Sequence, residues 1–237
     1  MSNVLSIRGL TYKRNFKVIL RDINCHVESG QIVGLLGANG AGKTTLMRVI
    51  AGSAPHFVGS VSVDGAVQPV ERKAVVSFSE QIGGTPISTR TAKVVQDWAD
   101  WYPDFDRSKF DELAQFLDID MHARLSSLSK GNMKKVVIAL SLARRVKLYL
   151  LDEPFDGIDS MTRKKIIATI IQWKPYDATL VISDHHVGDI ANILDTVMII
   201  KGHDLVTDKP ADDIRATGKS IEEYFEDVYA GRNTDGK

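Results

Sequence analysis

Between Ile32 and Ala51 the chain passes from an apolar run, Ile32-Val33-Gly34-Leu35-Leu36, through Gly37-Ala38-Asn39-Gly40-Ala41-Gly42-Lys43-Thr44 and into a helical pattern. No other stretch restricts the fold as much. A continuous apolar run ending in glycines reads as a strand buried on both faces, and such strands belong to parallel sheets covered by helices. The octet fits G-x-x-x-x-G-K-[ST] and stands where anion binding needs it, between a buried strand and a helix. Its glycines let backbone N–H groups approach phosphate oxygens, and the helix N-terminus adds its positive end. Lys43 would reach the β- and γ-phosphates of a nucleotide, and the Thr44 hydroxyl would hold Mg²⁺.

The rest of the pattern supplies partners for that strand. Val4 to Leu10, Val18 to Val27 and Val58 to Val63 read as strands of an N-terminal β layer, the last entering a tight turn at Asp64-Gly65. From about Thr89 to Arg145 the periodicity predicts helices: Thr91 to Trp101, Asp106 to Leu117, and a third beginning near Ser129 with hardly any polar face. Strands at Leu148 to Leu151, Thr179 to Ser183 and Val197 to Ile200 then bracket a helix carrying Ile166, Ile167, Ile170 and Ile171. This order predicts a parallel α/β sheet interrupted by a helical insertion. Beyond Gly202 there is a hint of a strand, a helix around Ile221 to Tyr229 and a polar tail.

Leu148-Tyr149-Leu150-Leu151-Asp152-Glu153 is an apolar strand ending in two carboxylates. Asp152 suits a Mg²⁺ ligand acting through water, and Glu153 stands where a base or water-orienting group for attack on a γ-phosphate is needed. Lys+Arg and Asp+Glu each number 30, so no basic excess exists to neutralise a nucleic-acid backbone. Cys25 is the only cysteine, which rules out an intramolecular disulfide and fits a reduced compartment. The longest run free of Asp, Glu, Lys and Arg is 15 residues, Val49 to Val63, and is broken by glycine and proline. Neither a membrane span nor a secretion signal is expected.

In this order the motifs resemble the ATP-binding cassette of ABC transporters, over about Leu5 to Ile200. Leu128-Ser129-Lys130-Gly131-Asn132 occupies the place of the family signature, usually LSGGQ, with Ser129 23 residues before Asp152. Lys130 and Asn132 depart from that pattern, and the Ser-Lys-Gly version looks like the bacitracin-resistance and antibiotic-peptide exporter type. Gly157-Ile158-Asp159 matches the D-loop, and Ser183-Asp184-His185 ends a strand as the switch histidine does, with Asp184 replacing the usual Thr or Ser. The Q-loop glutamine, which the resemblance assigns to Mg²⁺, is taken as Gln81, with Glu80 the alternative register. The adenine-stacking aromatic is taken as Tyr12, with Phe16 the alternative; Trp98, Trp101 and Tyr102 are read as core of the insertion, and Arg163-Lys164-Lys165 as a solvated helix face.

The resemblance implies a P-loop NTPase (RecA-like) α/β fold with a parallel sheet, an N-terminal antiparallel β layer and an inserted α-helical subdomain. The cassette would cover residues 1–201, its helical subdomain about 88–145, and a short C-terminal extension 202–237. ATP would be held by Tyr12, Gly37, Asn39, Gly40, Ala41, Gly42, Lys43, Thr44 and Thr45, and by Ser129, Gly131 and Asp159 of a second subunit. Glu153, His185, Lys43 and Gln81 would carry catalysis, and Thr44, Gln81 and Asp152 would hold Mg²⁺. The implied function is an ATP-hydrolysing subunit on the inner face of the cell membrane. It would pair with a copy or homologue and drive an integral-membrane permease, and the signature and the lack of a long domain after Ile200 lean towards export. The alternative is a soluble ATP-dependent bridging dimer. Nucleic-acid repair ATPases of this kind carry a long coiled coil between Q-loop and signature, whereas Gln81 and Ser129 are 48 residues apart.

Overall fold

The computed structural model describes residues 3–79, 82, 84–185 and 187–232. Alternating burial shapes β1 (Asn3–Arg14) and β2 (Lys17–Glu28) into a hairpin whose turn residues Asn15 and Phe16 both have positive φ, the geometry that matches the twist of paired strands. After β3 (Ile32–Leu36), β4 (Val58–Val63) joins this hairpin in an antiparallel sheet ordered β2-β1-β4.

The main sheet contains β5 (Val76–Phe78), β6 (Leu148–Asp152), β7 (Thr179–Asp184), β8 (Thr196–Lys201) and β9 (Asp204–Pro210). Its order is β5-β6-β7-β3-β8-β9, parallel except for β9. Because side chains alternate across a strand, the sheet divides two cores. Val33, Leu35, Leu148, Leu150, Val181 and Met198 face α1 (Lys43–Ile50) and the N-terminal sheet. Leu36, Tyr149, Leu151, Leu180, Ile182 and Ile199 face the helical side. That side is built by α3 (Thr91–Trp101), α4 (Arg107–Leu117), α5 (Lys130–Leu142), α6 (Ser160–Trp173), α7 (Ala211–Ala216) and α8 (Ile221–Ala230). From Val136 to Leu142, α5 is wholly buried, as its missing polar face required.

Sequence pattern did not reveal β5 or α2 (Pro69–Val75) before it. Buried Arg72 fastens α2 by donating to the carbonyls of Val61, Val67 and Val49. Buried Arg144 joins the helical insertion to β5, donating to Val76 O, Ala74 O and the Asp104 carboxylate while standing 4.1 Å from the Tyr102 ring centroid.

Two readings of helix faces need correction. Trp101 is 63% exposed rather than core, and with half-buried Trp98 and Tyr102 it lines a cleft of about 550 Å³ shared with Phe78 and Arg144. Ile171, in the last turn of α6, is also exposed, whereas Lys165 is half-buried over Phe116 and paired with Asp118. Among the described residues no helix is long and apolar enough to cross a membrane.

Candidate active site

Strands β6, β7 and β3 lie side by side and run in one direction, so Asp152-Glu153, Asp184-His185 and the Gly37–Thr44 loop leave the sheet at the same edge. Loops at the carboxyl ends of parallel strands are where open α/β sheets bind ligands.

The loop needs glycine at two places for different reasons. A Cβ on Gly37 would stand 2.8 Å from Ile200 O. Gly42 has φ 113°, and a Cβ there would meet Leu20 Cδ2 at 2.9 Å and Ile19 O at 3.1 Å. Asn39 and Gly40 form the exposed tip, Ala41 N donates back to Ala38 O, and α1 begins at Lys43. Lys43 is buried, yet its Nζ is satisfied by Gly37 O at 2.7 Å and Ala38 O at 3.3 Å. Thr44 and Thr45 follow, half-buried, in the first turn of α1.

Glu153 faces this loop. Its Oε1 lies 3.5 Å from Lys43 Nζ and 3.7 Å from His185 Nδ1, so three residues separated widely in sequence form one cluster. The Glu153 backbone is left-handed, φ 44°, a conformation that a non-glycine residue keeps only when its surroundings enforce it. Its N–H donates to Ser183 O at 3.1 Å and Ser183 Oγ at 3.0 Å. Its carbonyl accepts from Lys134 Nζ at 2.5 Å and from Asp156 N at 3.3 Å. Asp152 is held likewise: Oδ1 accepts from Ser183 Oγ at 2.6 Å, and its N–H donates to Ser79 Oγ at 3.1 Å. Buried Asp184 accepts from the His185 N–H at 2.7 Å.

Burial pulls the Lys134 ammonium below the usual lysine range, while the carboxylates of Asp156, Asp152, Glu153 and Asp184 oppose that shift. Sequence reasoning did not single out Lys134, and it read Ser183 only as a strand end. A further unread contact comes from α8, where Tyr229 Oη accepts from Ala38 N at 2.7 Å and donates to Ile200 O at 2.6 Å. Lys201 Nζ caps the end of that helix on Val228 O and Tyr229 O.

Ser129 caps α5 by accepting from Asn132 N, and Asp159 caps α6 by accepting from Met161 N and Thr162 N. Gly131 packs these two helix starts together, since a Cβ there would stand 3.4 Å from Thr162 Cγ2. None of these hydrogen bonds reaches the phosphate loop of the same chain. Tyr12 is half-buried opposite Leu20, whose side chain abuts Gly42, whereas Phe16 is fully exposed at the hairpin tip. Gln81 and its alternative Glu80 lie outside the described residues.

A family model described as "ABC transporter" matches residues 20–156. The chain belongs to that family. Among its relatives, the uncharacterized ABC transporter ATP-binding protein MJ1023 of Methanocaldococcus jannaschii is 30% identical over 212 residues, which are 85% of this chain and 75% of that protein. The aliphatic sulfonates import ATP-binding protein SsuB 1 of Xanthomonas axonopodis is 32% identical over 204 residues, covering 78% and 75% of the two chains. A solved structure of an ATP-binding subunit of an ABC transporter superposes with a TM-score of 0.84 at 21% identity, over 95% of this chain and 99% of that one. This chain is therefore an ABC transporter ATP-binding subunit and an ATPase, with the P-loop NTPase fold and an antiparallel N-terminal sheet.

Proposed function

We propose that the chain hydrolyses ATP at the Lys43–Glu153–His185 cluster and that this hydrolysis energises an exporter. The observation that carries the reading is the meeting of the Lys43 ammonium, the Glu153 carboxylate and the His185 imidazole within 3.7 Å of one carboxylate oxygen at the mouth of the glycine loop. On binding ATP, Lys43 exchanges the Gly37 and Ala38 carbonyls for the β- and γ-phosphates, and the loop amides from Gly37, Asn39, Gly40, Ala41 and Gly42 to Thr45 surround the same oxygens. Glu153 orients the attacking water and takes its proton, and His185 contacts the γ-phosphate. Tyr12 stacks on adenine.

Thr44 and Asp152 offer hard oxygen donors suited to Mg²⁺, with Gln81 as a further ligand; the ion would offset phosphate charge. Among the described residues no three His, Cys, Asp or Glu side chains could hold a metal by themselves, so phosphate and water oxygens would complete its shell. Two copies, or this chain and a homologue, would bring Ser129, Gly131 and Asp159 of one to the ATP of the other. The dimer would sit on a membrane permease at the cytoplasmic face, and the Ser129-Lys130-Gly131 signature supports export.

Calorimetry tests the phosphate site: Lys43→Ala should abolish micromolar-range ATP binding, and unchanged binding would overturn it. Inside-out vesicles carrying the chain with its permease should accumulate substrate when ATP is added outside. Accumulation only in right-side-out vesicles loaded with ATP inside would reverse the direction.

A further inference from the structure

Glu153 is fixed through its backbone by groups from two other elements. Ser183 of β7 receives its N–H, and Lys134 in the second turn of α5 donates to its carbonyl at 2.5 Å. The same carbonyl accepts from Asp156 N at 3.3 Å, in the turn that leads to Asp159. One acceptor therefore joins the helix that begins at Ser129, the carboxylate facing Lys43, and the segment that begins α6.

The charge of Lys134 is set by this position. Its stem is half-buried in α5, and the carboxylates of Asp156, Asp152, Glu153 and Asp184 attract its ammonium, so removing it would take from this cluster one of its counter-charges, Lys43 beside Glu153 being another. The peptide it holds is the left-handed one at Glu153, where relaxation to an ordinary φ would swing the side chain away from Lys43 and His185.

We infer that Lys134 is a positioning residue for hydrolysis: its charge-assisted hydrogen bond to the Glu153 carbonyl keeps the left-handed peptide in place and so aims the Glu153 carboxylate at the attacking water. The inference rests on the reading of Glu153 given above. It also makes Lys134 the link by which movement of α5 reaches the carboxylate, because no other hydrogen bond described between α5 and Glu153 crosses that gap.

The test uses steady-state ATPase kinetics of the full chain with Lys134→Met, which keeps most of the stem and removes the donor, and Lys134→Arg, which restores a cationic donor. Misplacing a catalytic group by about 1 Å costs on the order of 100-fold. Lys134→Met should therefore lower kcat by about 10- to 100-fold with KM for ATP within about 3-fold of the parent, and Lys134→Arg should recover most of kcat. In a Glu153→Gln background, Lys134→Met should cause no further loss, because the two act as one unit. Parent-like kcat in Lys134→Met, or full additivity of the two substitutions, would overturn the inference. A loss that appears only as raised KM and a lowered melting temperature, without rescue by arginine, would make Lys134 merely structural and also overturn it. Parent-like turnover in Glu153→Gln alone would instead remove the reading of Glu153 on which it rests.

Discussion

Changing Tyr229 to Phe removes one oxygen that makes two hydrogen bonds, at 2.7 Å to Ala38 N and 2.6 Å to Ile200 O. The two losses are unequal. Ala38 is exposed, so water can replace the acceptor for its N–H, whereas Ile200 is buried beside the place where Gly37 leaves β3. A buried carbonyl stripped of its donor costs about 1–3 kcal/mol, so the net effect should be about 2 kcal/mol. For a chain of this size that lowers the melting temperature by about 4–8 °C. The ring still packs against Phe225 at 4.7 Å between centroids, so α8 should stay docked while the first residues of the loop loosen. If about 1 kcal/mol of that loosening appears in the ATP complex, affinity falls about 5-fold. Scanning calorimetry and ATP titration of Tyr229→Phe read both quantities. An unchanged melting temperature together with unchanged affinity would refute the claim that α8 braces the phosphate loop.

Cys25 is buried in the N-terminal core, and burial pushes its thiol up to about 12, so a thiol-directed reagent at pH 8 should react in denaturant and stay silent with the native chain; prompt native labelling would contradict that packing. Lys130 is exposed in the first turn of α5 with its side chain lying over Gly157. If it adds positive charge beside a second copy's γ-phosphate, Lys130→Gly should weaken ATP-driven dimerisation at low salt, and the difference should fade as the screening length shortens to about 10 Å near 0.1 M. Equal dimerisation of variant and parent at low salt, measured by light scattering, would show that the lysine does not face the nucleotide.

What the sequence made legible was local. Ser129 and Asp106 announce helix starts because a short polar side chain caps the N–H groups that follow, and both do so in the structure. The Gly37–Thr44 loop and the strand ending at Asp152 were readable because each combines an unbroken apolar run with polar residues at its end. β5, with three residues, is too short to show a period. Aromatic spacing at Trp98, Trp101 and Tyr102 gives a helix face but not what covers it, and Trp101 stays 63% exposed. Lys134 was illegible for a related reason. On a helix it reads as one more solvated lysine, and its role depends on a carbonyl 19 positions away that only the packing of α5 against β6 brings within reach. Tyr229 depends in the same way on the docking of α8 beneath β8.

In the proposed mechanism Glu153 performs the hydrolytic step at a site whose ATP binding does not need it. Glu153→Gln keeps the shape and hydrogen-bonding capacity of the side chain and removes its charge. The decisive measurement is the ATPase rate of this variant alongside its elution in size-exclusion chromatography with ATP present. Turnover should fall by at least about 100-fold, the loss expected when the group that orients and deprotonates the water is disabled, while an ATP-bound dimer accumulates. Parent-like turnover with no dimer would contradict that mechanism and assign the water to another group.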